Sequence, residues 1–214
     1  MRRRWILLAA AGLAGLGTIT WGAMASNVET PDYTVSKKSG NLEIREYGST
    51  IVAEVTVEGE RDEAIQRGFR IIADYIFGNN LSSAKLAMTA PVTQQSSEKI
   101  AMTAPVIQQA NGQSWNVRFV MPSKYTIETL PKPVNAQVAL IEVPAKRFAV
   151  IRFSGFASQE ALDKQEAQLR AFMAEGGLIA ANVPQYAFYN APWTLPFMRR
   201  NEIMMEIPNN EIGS

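Results

Sequence analysis

The sequence predicts an α+β domain: a distorted antiparallel β-barrel built from two β-β-α-β-β units, each with one flanking helix. Two observations carry that expectation. A pair of segments with alternating apolar and polar residues precedes each of two amphipathic helices, and further strand-like segments follow each helix. The helices' apolar positions also recur at a constant interval: Ile65 with Leu162, Ile72 with Leu169, Tyr75 with Phe172 and Ile76 with Met173 are all 97 residues apart, which suggests an ancient internal duplication.

Taken in order, Leu42 to Tyr47 and Ile51 to Val57 alternate, with Gly48 and Ser49 between them, as a β-hairpin would. From Arg61 to Phe77, Ile65, Phe69, Ile72 and Ile76 return at intervals of three and four. Asp62 and Glu63 favour the helix start, and Gly78 ends it. The same order returns with Val138 to Val143 and Arg147 to Ser154, read as a second hairpin. A helix from Gln159 to Glu175 follows, capped by Ser158 and closed by Gly176. Strand-like segments follow the first helix at Leu86 to Val92, Ile100 to Gln108 and Trp115 to Met121. Those after the second are Tyr186 to Asn190 and Glu202 to Ile207. A helix lying against one face of each twisted sheet lets the two units join into a barrel-like core with both helices outside.

Ahead of the domain, Arg2, Arg3 and Arg4 precede an uncharged run from Trp5 to Ala25 that closes on Ala23-Met24-Ala25. Residues 1–25 therefore read as an export signal or, since 21 residues of helix span roughly 31 Å, as a membrane anchor with its arginines in the cytoplasm. The domain is expected outside the cytoplasm: exported, periplasmic, or anchored in the cytoplasmic membrane and facing outward. Residues 26–41 read as linker and approach to the domain, 42–208 as the domain and 209–214 as a tail.

The 214 residues, 47% hydrophobic and 19% charged, suffice for one folded domain. Without residues 1–25 the net charge falls from +1 to about −2, which is no footprint for nucleic acid. The chain contains neither cysteine nor histidine, which removes thiolate nucleophiles, disulfides and the usual general base and metal ligand.

The most specific motif is Lys85-Leu86-Ala87-Met88-Thr89-Ala90-Pro91-Val92, repeated fourteen residues later as Lys99-Ile100-Ala101-Met102-Thr103-Ala104-Pro105-Val106. Alternation puts Leu86, Met88, Ala90 and Val92 on one strand face, and Ile100, Met102, Ala104 and Val106 likewise. The two copies thus read as a hairpin, with prolines that favour an edge or a bulge. The plainer use of these methionines is to fill the core.

With the doubled Ala-Met-Thr-Ala-Pro-Val, the helix opening Asp62-Glu63-Ala64-Ile65 and the late Arg199-Arg200-Asn201-Glu202-Ile203, the chain resembles the SOUL haem-binding family over roughly residues 31 to 208. The resemblance implies a distorted β-barrel with two helices, and haem or another tetrapyrrole held in a shallow apolar groove beside the first helix, for transport, buffering or sequestration. Carried over by position, the groove would be lined by Ile65, Phe69, Ile72 and Ala73, with Met88 on the following strand. Some relatives place a basic residue where Gln66 and Asp74 stand here; Arg70, one turn from Gln66, would substitute, unless it pairs with Asp74 four residues on. With no histidine or cysteine, methionine, tyrosinate, lysine or water is left to the iron, and Met88 is the candidate protein ligand.

Two other readings compete. The architecture also resembles bacterial effector-binding domains, some of whose relatives hydrolyse small molecules, and Glu202, Glu166 or Tyr189 would then be the groups to serve. The third is an envelope interaction domain with no small ligand. Trp193, between Pro192 and Pro196, is expected to close the barrel end, and the Arg199-Arg200-Asn201-Glu202 run to form a local ion-pair network.

Overall fold

The computed structural model describes residues 28–82 and 97–208. Nine strands make one antiparallel sheet: β1 (Tyr33–Ser39), β2 (Leu42–Tyr47), β3 (Thr50–Glu58), β5 (Val106–Asn111), β6 (Ser114–Val120), β8 (Ala139–Val143), β9 (Lys146–Phe153), β10 (Gln185–Phe188) and β11 (Asn201–Ile207). Two-residue strands β4 (Asn80–Leu81) and β7 (Lys132–Pro133) pair separately. The helices are α1 (Arg61–Ile76) and α2 (Gln159–Glu175). The sheet order is β1-β2-β9-β11-β10-β5-β6-β3-β8, with β1 and β8 as its edges, so the expected barrel is a curled, open half-barrel. β1 lies within the stretch read as linker: the sheet starts nine residues before Leu42, paired to β2 with an irregularity between Val35 and Lys37.

The helices match the periodicity. Ile72, Tyr75 and Ile76 of α1 and Leu162, Leu169, Phe172 and Met173 of α2 are buried. Of the four equivalent pairs only Ile65 is partly open. Gly78 follows α1 at φ +122°, backbone that glycine adopts freely. On α2 the Ser158 hydroxyl accepts from the Ala161 N–H at 3.3 Å, and the Gly176 N–H reaches the Phe172 carbonyl at 3.2 Å.

The hairpins do not form as expected. β2 pairs with β9, and β3 with β8 and β6: each unit gives its first strand to the other. Leu42 stands opposite Ile151 and Ala53 opposite Leu140, and a step of 98 residues carries the first pair onto the second, so the exchange is symmetric. The order β2-β9-β11-β10 then repeats in reverse as β5-β6-β3-β8, about an axis between β10 and β5. The cores explain the exchange. Ile44 of β2 belongs to the cluster under α2, while Ala53, Val55 and Val57 of β3 belong to that under α1; pairing the neighbours would place one of these apolar sets beneath the wrong helix.

The repeated motif also departs from expectation. Lys85 to Val92 lies outside the described residues. In the second copy only Val106 enters a strand, while Ile100 is buried and Met102 is 42% exposed, so the two do not share a face. Backbone bonds go elsewhere: the Ile100 N–H to the Ile76 carbonyl and the Ala104 N–H to the Glu29 carbonyl, each at 2.9 Å. Pro105, with no N–H, precedes the ladder, which begins at the next residue.

Candidate functional site

The face of α1 away from the core is the first candidate. Gly68 brings this helix close to the sheet: a Cβ there would stand 2.7 Å from a methyl of Val117 and 3.1 Å from one of Val55. The next residue, Phe69, lies at the edge of that contact. It is 39% exposed, and its ring centroid is 5.3 Å from that of the fully buried Phe119. An apolar ledge results, open on one side and backed by core on the other. Ile65 and Ala73 flank it, both partly buried. Ile72 does not line it: at 0% exposed it lies wholly in the core, because its position on the helix turns it toward the sheet. Met88 falls outside the described residues.

Arg70 is exposed, and among the described residues no ion pair or hydrogen bond engages it. The alternative pairing with Asp74 is not made; that carboxylate accepts instead from the Asn79 side-chain amide. An exposed, unengaged guanidinium thus belongs to the residue that follows Phe69 along the helix surface.

On the opposite sheet face, alternate residues of the central strands line a cleft of about 440 Å³. Val52, Ile107, Phe148 and Met204 form apolar wall, beside the ion pairs Glu54–Arg118 and Lys146–Glu206, the latter at 2.8 Å. Behind its end lies a buried charge network. Arg45, 1% exposed at its side chain, gives Nη1 and Nη2 to the two oxygens of Glu202 at 2.8 and 3.2 Å, and Nε to Glu43 at 2.7 Å. Arg200 Nε and the Tyr189 hydroxyl each reach Glu202 at 2.9 Å, and the two guanidinium groups stack on Tyr33 and Tyr189 at 4.2 and 3.8 Å. Of the ion-pair network expected within residues 199–202, the Arg200–Glu202 pair forms, while Arg199 binds the Thr194 and Pro192 carbonyls and the second cation on Glu202 is the distant Arg45.

Two of the groups considered for hydrolysis, Glu202 and Tyr189, belong to that network. Both oxygens of Glu202 are filled by donors, leaving no lone pair for a substrate proton. Burial pushes the Tyr189 hydroxyl far above its ordinary range, and the Glu202 charge adds to this. Burial also raises Tyr47, which lines the cleft, to about 12. Glu166 accepts from Tyr186 at 3.1 Å and from Arg170 Nε at 2.9 Å, joining α2 to β10. Among the described residues no three Asp or Glu side chains gather as a metal site. Sequence reasoning missed the cleft and Arg45; the signal was there in Glu43, Arg45, Glu54 and Arg118, charges that alternate with apolar residues along strands.

Trp193 does not close the barrel end. It is 86% exposed on the loop between β10 and β11.

Comparison with known proteins agrees with this architecture. The SOUL heme-binding protein family model matches residues 28–98 and 94–206. Heme-binding protein 2 of Homo sapiens is 31% identical over 196 residues, 88% of this chain and 90% of that protein. Its counterpart in Mus musculus is 29% identical over 182 residues, covering 83% and 82%. Among solved structures, the EcmrR C-terminal domain aligns with a TM-score of 0.55 at 11% identity, over 83% of this chain and 98% of that one. A hydrolase from Listeria innocua aligns with a TM-score of 0.52 at 14% identity, over 81% and 94%. At such low identity these two show a shared fold. The family match across nearly the whole described domain and the 31% identical human relative place the chain in the SOUL heme-binding family.

Proposed function

We propose that the domain binds a haem or similar tetrapyrrole on the outer face of α1, for transport, buffering or sequestration, and that the Trp5 to Ala25 run places it outside the cytoplasm. One observation carries the ligand reading: the exposed Phe69 ring backed by Phe119, followed in sequence by the exposed Arg70, which no described residue engages. These residues fit the group. A flat macrocycle needs apolar area, at about 25 cal/mol per Å² buried, and its propionates need a cation, worth roughly 1 kcal/mol or less when exposed. Packing therefore dominates over charge. With no histidine or cysteine in the chain, methionine, tyrosinate, lysine or water would have to supply any iron ligand, and Met88→Ala would change the spectrum of the bound pigment if that sulfur ligates.

The test is a haemin titration followed by absorbance. Phe69→Asp is expected to abolish saturable binding. Ile141→Trp, which fills the cleft on the opposite face from a 37% exposed position, is expected to leave it unchanged. The reverse pattern moves the site to the cleft, and no saturable binding in the native chain removes the ligand reading. The hydrolase reading finds Glu202, Glu166 and Tyr189 already engaged in the fold. For location, cell fractionation decides: a full-length chain found in the cytosol without membrane overturns the export reading.

A further inference from the structure

One end of the half-barrel carries an unusual share of exposed apolar side chains. Trp193 is 86% exposed, Phe197 73%, Phe156 67%, Met198 56% and Leu195 50%. The register shows that they share an end. Val106, Phe188, Asn201 and Phe153 stand opposite one another across four strands. The chain leaves this row in one direction at each of them: after Phe188 and before Asn201 through the loop of residues 189–200, and after Phe153 toward Phe156. Phe77, 58% exposed, joins them, because α1 starts beside Gln113 at the far end and runs back. At the far end the turn between β5 and β6, Asn111-Gly112-Gln113-Ser114, is polar, while the approach to β10 exposes two aliphatic side chains, Ile179 at 78% and Val183 at 51%, in place of aromatic rings.

The loop holds these side chains outward. Arg199 donates Nε to the Thr194 carbonyl at 2.8 Å and Nη2 to that of Pro192. The Gly155 N–H reaches the Pro196 carbonyl at 2.8 Å, and the Asn201 amide reaches the Gly155 carbonyl at 3.1 Å. A braced loop presenting tryptophan, phenylalanine, leucine and methionine to solvent has the chemistry of a membrane–water interface, where amphipathic rings concentrate.

The path of the chain identifies the occupant. Glu29 pairs with Thr103, its carbonyl accepting from the Ala104 N–H at 2.9 Å and its carboxylate from the Ser123 N–H at 2.7 Å. Thr103 precedes Val106 and so lies at this same end. From Ala25, the last residue of the apolar run, to Glu29 is four residue steps, about 14 Å when fully extended. A run spanning a bilayer would hold this end, and not the end at the β5–β6 turn, against the surface.

We propose that this end of the domain seats on the lipid bilayer, with the loop of residues 190–199 and Phe156 entering the interface. The proposal rests on the reading of Trp5 to Ala25 as an uncleaved anchor. The cysteine-free chain allows a clean test. Full-length Phe197→Cys and Ser114→Cys are each labelled with the fluorophore NBD and reconstituted in phosphatidylcholine–phosphatidylglycerol vesicles, with circular dichroism to check the fold. Flotation with the vesicles, together with blue-shifted emission at position 197 quenched at least threefold more by doxyl-labelled lipid than at position 114, is the expected result. A chain that floats with both positions equally wet overturns the seating while leaving the anchor intact. A chain that does not float overturns both. A blue shift at 197 that grows with protein concentration and ignores doxyl lipid assigns the patch to a second copy, and sinks the proposal.

Discussion

The two helices occupy equivalent places on one scaffold, yet their outer faces differ in kind. At the interval of 97 residues that relates their buried positions, Phe69 corresponds to Glu166, Ala73 to Arg170 and Gly68 to Gln165. On α2 that face is closed: Glu166 pairs with Arg170 at 2.8 Å and accepts from Tyr186. On α1 it is an open apolar ledge with an unengaged arginine. The symmetric scaffold presents the same helix position twice, and a few surface residues leave only one of the two faces open and apolar. The sheet's other face is equally unequal: the unit with α2 holds the buried Arg45–Glu202 network, whereas beside α1 the Glu54–Arg118 pair is partly open to the cleft.

The contrast between the two charge clusters predicts the largest effect. Arg45→Met leaves Glu202 buried with only Arg200 as cation and is expected to cost about 3–5 kcal/mol in urea unfolding, against about 1 kcal/mol for Arg118→Met. Equal costs would mean that burial does not separate the two clusters. The same network sets an alkaline limit. An unfolded tyrosine ionises near 10, whereas Tyr47 in the fold ionises at about 12. The folded state thus holds this proton more tightly; its stabilising effect is whole below about pH 10 and is lost as pH rises toward 12. Stability is expected to drop by on the order of 2 kcal/mol from Tyr47 alone, with Tyr186 acting in the same direction, as followed by unfolding between pH 9 and 12.

A smaller difference separates the helix contacts. Gly68→Ala forces a methyl against Val117 and Val55 and is expected to cost about 1–3 kcal/mol, whereas Gln165→Ala, at the equivalent position of α2, removes a half-buried amide whose Oε1 has no hydrogen-bond partner among the described residues and is expected to stay within about 0.5 kcal/mol. Thermal unfolding of the two variants reads this directly. The smallest pair concerns the arginines. Arg70→Ala is expected to weaken haemin binding by no more than about fivefold, more at low salt, with unchanged stability. Arg170→Ala is expected to cost about 0.3–0.5 kcal/mol in stability and to leave haemin affinity alone. Interchanged effects would reverse the assignment of open and closed faces.

Local pattern alone carried both helices, the caps of α2, most of the strands among the described residues and the repeated order of elements, because side-chain periodicity records which face of an element is buried. It carried the ledge in part: Phe69 and Arg70 are where the helix pattern puts them, while Ile72 belongs to the core because a helical wheel shows angle and not depth. Partners are another matter. Leu42 to Tyr47 and Ile51 to Val57 are strands in either arrangement, and only the choice between two cores, one under each helix, made β2 cross to β9 and β3 to β8. The concave cleft, the buried Arg45–Glu202 pair and the exposure of Trp193 follow from that same choice. Each joins residues far apart in sequence, and the free energy that selects such contacts belongs to the assembled sheet, not to any segment of it.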